Sequence, residues 1–419
     1  MTVQGDRRGE GVEWRRLGLI VLLATLVRLP LILLSPGYDV LAYRIWAEVV
    51  HAVGIGGAYG ATYPTGPESA PYHYQPFYLY VLRATGFVYA ALWPGGDWRD
   101  QALASLLKCA PTVAELALGV LIWRFLRVRV APQVAPRVAL GAAAAYLFTP
   151  GLIWNTAYWG GIDAFQALFL TLGLCATVGG ATVRAWPLAT LAVCTKLTAL
   201  PGALAVIPTA LRSVPPRRLV AALVAALATL LVLTAPILAA GQLGAMRRGM
   251  FDNLSLYALT SFNAHNLWWL LTWGQGQRPD TTVAFTGLNY RQIGRLLALL
   301  AACPVLYRLW REPTNIPRVF ATSAFLSFAF VMLTTGVHEN WAYILFAPLL
   351  VAAALEPSYR PLYALLALTF LLNLALEDPP LHQFVADWSI IRQGIRATRL
   401  ANAAVQCGVL GWWGWKLLR

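Results

Sequence analysis

Apolar runs of close to twenty residues recur along nearly the whole chain, each closed by arginines or by a cluster of Pro, Gly, Tyr and Trp. About twenty residues of helix, rising about 1.5 Å each, cover the roughly 30 Å hydrocarbon layer of a bilayer, so each run is predicted to be a membrane-crossing helix. Placing Arg/Lys clusters on the cytoplasmic side orders the crossings. Arg7, Arg8, Arg15 and Arg16 hold the N-terminus inside, and 17–34 crosses to Ser35. The run 104–123 returns to Arg124, Arg127, Arg129 and Arg137, the next leaves by Trp154, and a fourth returns to Arg184. Between Arg184 and Arg212 the pattern predicts a short hairpin or broken re-entrant pair with its tip outward near Lys196 and Pro201; one tilted span is the alternative. Further crossings follow at 219–240, 291–307, 318–335, 341–356, 361–376 and 398–415.

The expected fold is therefore all-α and polytopic. It has roughly 11–13 transmembrane helices in one membrane-embedded domain over 1–419, with both termini cytoplasmic. Two outer segments are too long to be plain turns: 35–103, read as a first outer loop with short amphipathic juxtamembrane helices, and 241–290, a second large outer loop. The first apolar run ends in "SPGYD" without a small-residue cleavage site, so it is read as a span and not as a cleaved signal.

Composition agrees. Of 419 residues, 58% are hydrophobic and 12% charged, with mean hydropathy +0.60, against about 25% charged in soluble domains. The net charge of +14 would suggest nucleic acid in a soluble protein; here positive cytoplasmic loops account for it, and no nucleic-acid partner is expected. The only lysines are Lys108, Lys196 and Lys416. Cys109, Cys175, Cys194, Cys303 and Cys407 lie in apolar stretches without CxxC spacing and read as packing residues. Zinc-type His/Cys spacing, a P-loop and a G-x-S-x-G elbow are not found in the sequence.

Drawing the topology from Arg/Lys runs and length alone gathers the other polar groups on the outer side. These are Asp39, Asp163, Lys196, His265, His338 and Glu339, with His51, His73 and His382. Asp39, in "SPGYDVLAYRIW", either caps a helix or, if partly buried, serves as a general base. In "YHYQPFYLY", His73 and Tyr74 belong to an aromatic belt or to a wall for a sugar ring or isoprenoid chain. Asp163, in "WNTAYWGGIDAF", starts an apolar span, again a cap or a functional carboxylate. A lone Lys196 in the apolar "TKLTALPG" either snorkels or meets a lipid phosphate. Asn263, His265 and Asn266, in "SFNAHNLWW", are caps or donors to sugar hydroxyls. His338 and Glu339 open "HENWAYILF", where Glu suits a helix N-terminus and His could carry leaving-group charge.

The order of these elements resembles the GT-C superfamily. Within it the chain is similar to bacterial and archaeal mannosyltransferases related to the GPI-anchor second mannosyltransferase, over about 17–350. The Asn-Ala-x-Asn-Leu-Trp element at Asn263–Trp268 is its most specific piece. Trp159, Gly160 and Asp163 match Trp-Gly-Gln-x-Asp with Gly161 in place of Gln. Lys196 matches the Lys of Lys-Pro-Gln, with Leu197 and Thr198 in the other places. His338 and Glu339 match His-Glu-Arg-Tyr, with Asn340 and Trp341 replacing Arg-Tyr.

The resemblance implies an inverting glycosyltransferase in the cell (inner or plasma) membrane, taking a sugar, mannose by this likeness, from a polyprenyl-phosphate donor. The acceptor would be a glycan, glycolipid or protein on the extracytoplasmic face. Asp39 is the implied catalytic residue. Lys196 and His338 would meet the donor phosphate, with Arg247, Arg248 or Arg291 standing in for the replaced Arg. Asp163, Tyr74, His73, Asn263, His265, Asn266 and Glu339 would meet sugars or acceptor. No cofactor is required; a divalent metal is left open, with Asp39, Glu339 and the outer histidines the groups that could assemble around one. A transporter or flippase of a lipid-linked saccharide is the competing class, and it calls for internal repeats and ionisable groups at mid-bilayer.

Overall fold

The computed structural model describes residues 3–34, 38–64, 71–130, 134–251, 258–378 and 389–419. The expected helices form in order. They begin with α1 (Val3–Leu33), α2 (Tyr38–Gly57), α3 (Phe77–Leu92) and α4 (Gln101–Val128). Then come α5 (Pro136–Leu147) and α6 (Pro150–Ile153), the latter continued by a π-turn, Trp154–Tyr158. There follow α7 (Asp163–Val178), α8 (Thr182–Thr195), α9 (Leu200–Ala203), α10 (Val206–Ser213), α11 (Pro216–Ala239), α12 (Leu243–Phe251) and α13 (Leu267–Leu271). A two-stranded antiparallel ribbon, β1 (Val283–Phe285) and β2 (Leu288–Asn289), precedes α14 (Tyr290–Arg311) and α15 (Ile316–Leu333). A 3-10 turn, Trp341–Leu345, leads into α16 (Phe346–Leu355), then α17 (Arg360–Glu377) and α18 (Ser389–Leu418). The chain is an all-α polytopic membrane protein, with the small ribbon as an addition the apolar pattern did not predict.

Local chemistry sets the boundaries. Asp100 caps α4 by accepting from Leu103 N–H at 2.9 Å, Asn289 and Gln292 form a capping box on α14, and Asn315 caps α15. Pro150 ends α5 and bends the next segment by 46°.

Among the described residues six helices are long and apolar enough to cross a membrane, or seven if the bent pair is one span. Of the remaining expected crossings, those at α7, α8 and α16 exist as shorter helices, whereas α18 is 30 residues long but is not among the six. The 16-residue α7 measures about 24 Å, less than the hydrocarbon layer. Short helices inside a bundle can end below the bilayer surface because neighbouring helices, not lipid, surround them. Their polar ends then face a recess.

The 184–212 region is a hairpin. Along α7, Gly173 packs on Ala185 and Ala189 of α8, whereas Gln166 meets Thr198 and Leu170 meets Gly202. One arm therefore runs up α7 towards Asp163 and the other runs back down. Lys196 is the tip, in extended conformation (φ −157°, ψ 132°). At the far end of the bundle five basic residues are paired: Arg127 with Glu13, Arg308 and Arg318 with Glu312, Lys416 with Glu356, and Arg212 over Trp310.

One buried ion pair was not anticipated. Arg28 of α1 and Glu115 of α4 are 3.1 Å apart, both fully buried, and the guanidinium also donates to the Ala24 and Leu147 carbonyls at 2.8 and 2.7 Å. Charges inside consecutive predicted spans are the signal that could have found it. The apolar core falls into two clusters. The larger joins α4, α5, α7, α15, α16 and α17, and the smaller joins α2, α3 and the start of α4. The site lies where the two meet.

Candidate functional site

A cavity with about 740 Å³ of empty space, counting its open mouth, lies between the clusters. Asp39, His73, Tyr74 and Gln75 line one side; Lys196, Leu197, Thr198, Met250 and the run His338–Trp341 line the other. Three segments far apart in the chain thus deliver Asp39, Lys196, His338 and Glu339 to one place.

Asp39 stands in the first turn of α2, half-buried. Tyr43, one turn on, donates to its Oδ2 at 3.3 Å and lies 3.3 Å from the Tyr74 hydroxyl. Burial raises the Asp39 pKa, Lys196 opposes the rise, and Asp163 adds to it. Tyr74 is held against Trp46 and His73, and its carbonyl accepts from Tyr59 at 2.5 Å. Burial lowers the His73 pKa, partly offset by its bond to the Pro71 carbonyl.

Lys196 Nζ donates to Asp163 Oδ1 at 2.9 Å and stands 5.8 Å from the Tyr74 ring centre. Asp163 is fully buried and lies behind Lys196 without lining the cavity. Gln166 donates to its Oδ1 at 2.6 Å and Asn155 to its Oδ2 at 3.3 Å. Thr198 donates to Gln166 Oε1 at 2.8 Å, and the Leu197 N–H donates to Gln75 Oε1 at 3.1 Å. The tip of the hairpin is therefore tied to α7, to the π-turn and to the aromatic segment. Gly160 and Gly161 make this possible. Gly160 has φ +75°, and a Cβ there would meet Val40 at 2.3 Å; one on Gly161 would meet the Asn155 amide at 2.7 Å.

His338 and Glu339 lie on the turn after α15. Backbone bridges join His338 to Phe262 and Asn263, and the Phe262 N–H donates to the Val337 carbonyl at 2.9 Å. Burial and Lys196 push the His338 pKa down to about 3, so its imidazole is neutral at pH 7. Burial, reinforced by Asp39 and Asp163, lifts Glu339 to about 8, so its carboxyl is mostly protonated there. Its Oε2 is buried and has no hydrogen-bond partner.

The structure does not bring the other expected ligands to the cavity. Asn266 caps α13 through the Trp268 and Trp269 N–H groups and donates to the Val331 carbonyl. His265 is buried against α17 and α18. Its Nδ1 faces the Asn402 amide at 2.9 Å, so Nε2 carries the proton donated to Glu377 Oε1 at 2.9 Å. Asn263, at φ +67°, is fixed through its carbonyl by Asn373 at 2.8 Å. These residues back the segment bridged to His338. Arg291 grips Asp280 with two bonds of 2.9 and 2.8 Å, and Asp280 also accepts from Thr335 at 2.7 Å. Arg247 and Arg248 are exposed on α12, near cavity-lining Met250. His51 packs between Phe87 and Trp98, and His382 lies outside the described residues. Among the described residues no three His, Cys, Asp or Glu side chains converge to hold a metal ion.

Gln75, Gln166, Thr198, Asn155 and Tyr43 escaped the sequence reading. Uncharged polar residues inside apolar runs carry no periodic signal; only Gln75 beside Pro76 and Asn155 at an aromatic turn offered a hint.

No protein-family model matches this chain, and no curated protein matches it. Among solved structures it is similar to the crystal structure of the Archaeoglobus fulgidus oligosaccharyltransferase tethered through a disulfide to an acceptor peptide containing the NVT sequon. The TM-score is 0.43 at 14% identity, over 96% of this chain and 54% of that one. The chain thus spans about half the length of that protein, and the site described above stands on its own geometry.

Proposed function

We propose that this protein is a membrane glycosyltransferase of the GT-C kind, transferring mannose with inversion from a polyprenyl-phosphate donor to a glycan, glycolipid or protein acceptor on the extracytoplasmic face. The observation that carries the reading is the convergence of Asp39, Lys196, His338 and Glu339 on one cavity. A carboxylate, an ammonium and a neutral imidazole suit attack of a hydroxyl on a sugar phosphodiester.

In this mechanism Asp39 takes the proton of the acceptor hydroxyl as its oxygen bonds to the anomeric carbon. The bond from that carbon to the phosphate oxygen breaks on the opposite face, and the phosphate leaves on its lipid. Lys196 and the N–H of His338 stabilise the charge that gathers on it. A carboxylate with a raised pKa is a stronger base than an exposed one, and general-base catalysis is worth about 10²–10⁴-fold. Protonated Glu339 donates to a sugar hydroxyl, and Tyr74, His73 and Trp341 wall the ring. Asp163 acts one step back, fixing Lys196. Exposed Arg247 stands near the cavity edge for a second phosphate contact. The clustering of basic residues at the far end of the bundle supports an extracytoplasmic mouth.

Purified protein in vesicles is incubated with labelled polyprenyl-phosphate-mannose and membrane extract. Labelled product that depends on the protein is expected. Movement of intact donor between leaflets without transfer would instead establish a flippase and overturn the reading.

A further inference from the structure

The loop before α14 ends in a surface with no role in the cavity. Between Thr281 and Tyr290 there is no charged residue, although the chain carries a net charge of +14. The β1–β2 turn closes at Thr286 and Gly287, both at positive φ (48° and 82°), a two-residue turn of the kind that makes a tight hairpin. Val283 and Phe285, on either side of a bulge in β1, are 64% and 72% exposed. Trp273 and Leu271, on the α13 side of the same loop, are 71% and 58% exposed. In water an uncharged ribbon with bare edges and large apolar tips invites aggregation.

Its base decides where it points. The Tyr290 N–H donates to the Thr282 carbonyl at 3.3 Å and the Arg291 N–H to the Asp280 carbonyl at 3.0 Å. The ribbon is therefore clamped to the first turn of α14. That helix is a membrane span whose Leu296, Leu299 and Leu300 face outward at 48–61% exposure. Arg278 before the ribbon and Arg295 in the second turn of α14 are exposed; arginine pairs with lipid phosphate, and Trp and Phe prefer the bilayer interface.

We infer that the β1–β2 ribbon, together with Trp273, is an interfacial anchor that enters the headgroup and upper acyl layer of the leaflet beside α14. The apolar tips bury among glycerol and first methylenes, and Arg278 and Arg295 pair with phosphates. The same loop carries the segment bridged to His338, so the bilayer steadies one wall of the cavity.

A photoreactive benzoyl-phenylalanine placed at Phe285 in the full chain, reconstituted in phospholipid vesicles, tests this. The position is exposed and the replacement is aromatic, so folding is preserved; the same residue at Leu299 reports a bilayer-facing site. Illumination is expected to add one phospholipid mass to the peptide carrying position 285, as it does at 299. An adduct to protein at 285 would identify a partner chain or a second copy as the occupant and overturn the inference. Labelling at 299 with no lipid adduct at 285 would also overturn it. Neither outcome depends on whether the cavity transfers sugar.

Discussion

Glu339 shares the cavity with Asp39, and its raised pKa has measurable consequences. Glu339 has a folded pKa of about 8 against an ordinary 4.5. The folded state therefore holds its proton where the unfolded chain has released it. Stability falls as pH rises from about 4.5 through about 8, and Glu339→Gln is expected to flatten the melting temperature across that window. His338 works in the opposite direction. Its pKa of about 3 against 6.5 means the unfolded chain binds the proton first, so stability is lost as pH falls from 6.5 towards 3, and His338→Gln should remove that loss. Lys196 and Asp163 form a nearly buried pair, with side chains 9% and 0% exposed. Breaking such a pair from one side costs about 3–5 kcal/mol, so Asp163→Ala should lower stability by roughly that amount in thermal or denaturant unfolding. At this scale the charged members of the site were legible, because Asp39, Lys196, His338 and Glu339 have few comfortable places in an apolar chain. The amides and hydroxyls that aim them were not, because Gln166 or Thr198 in a helix run looks like packing until its partner is seen.

At the scale of elements, the end of α17 links the two halves of the site. Glu377 holds His265 behind the segment bridged to His338, and the neighbouring Asp378 accepts from Trp159 Nε1 at 2.8 Å beside the Gly160–Gly161 turn. Replacing Asp378 by Asn keeps an acceptor for the indole, whereas Ala does not. Transfer activity should fall for Asp378→Ala and be largely retained for Asp378→Asn, with the loss appearing in the rate constant measured at saturating donor. Gly160→Ala is expected to be worse. It forces a side chain into φ +75°, a strain of about 1–3 kcal/mol, and drives Cβ into Val40; expression and melting temperature report it. The order of helices and the hairpin at Lys196 were readable from Arg placement and run length. Helix length within the bundle was not, because a helix surrounded by protein need not cover the whole hydrocarbon layer. The roles of Asn263, His265 and Asn266 were hidden for a related reason. A polar cluster before an apolar helix looks the same whether it meets a ligand or the ends of two other helices.

For the whole molecule, the proposed function brings an acceptor hydroxyl and a sugar phosphodiester to the half-buried Asp39, in one recess between two apolar clusters. The central claim is that Asp39 removes the acceptor proton. It is tested most directly by single-turnover transfer from polyprenyl-phosphate-mannose, comparing the parent with Asp39→Asn at matched melting temperature and donor binding. A loss of about 10²–10⁴-fold in the transfer step is expected, with donor affinity retained. A variant that folds, binds donor and transfers at the parental rate would contradict it.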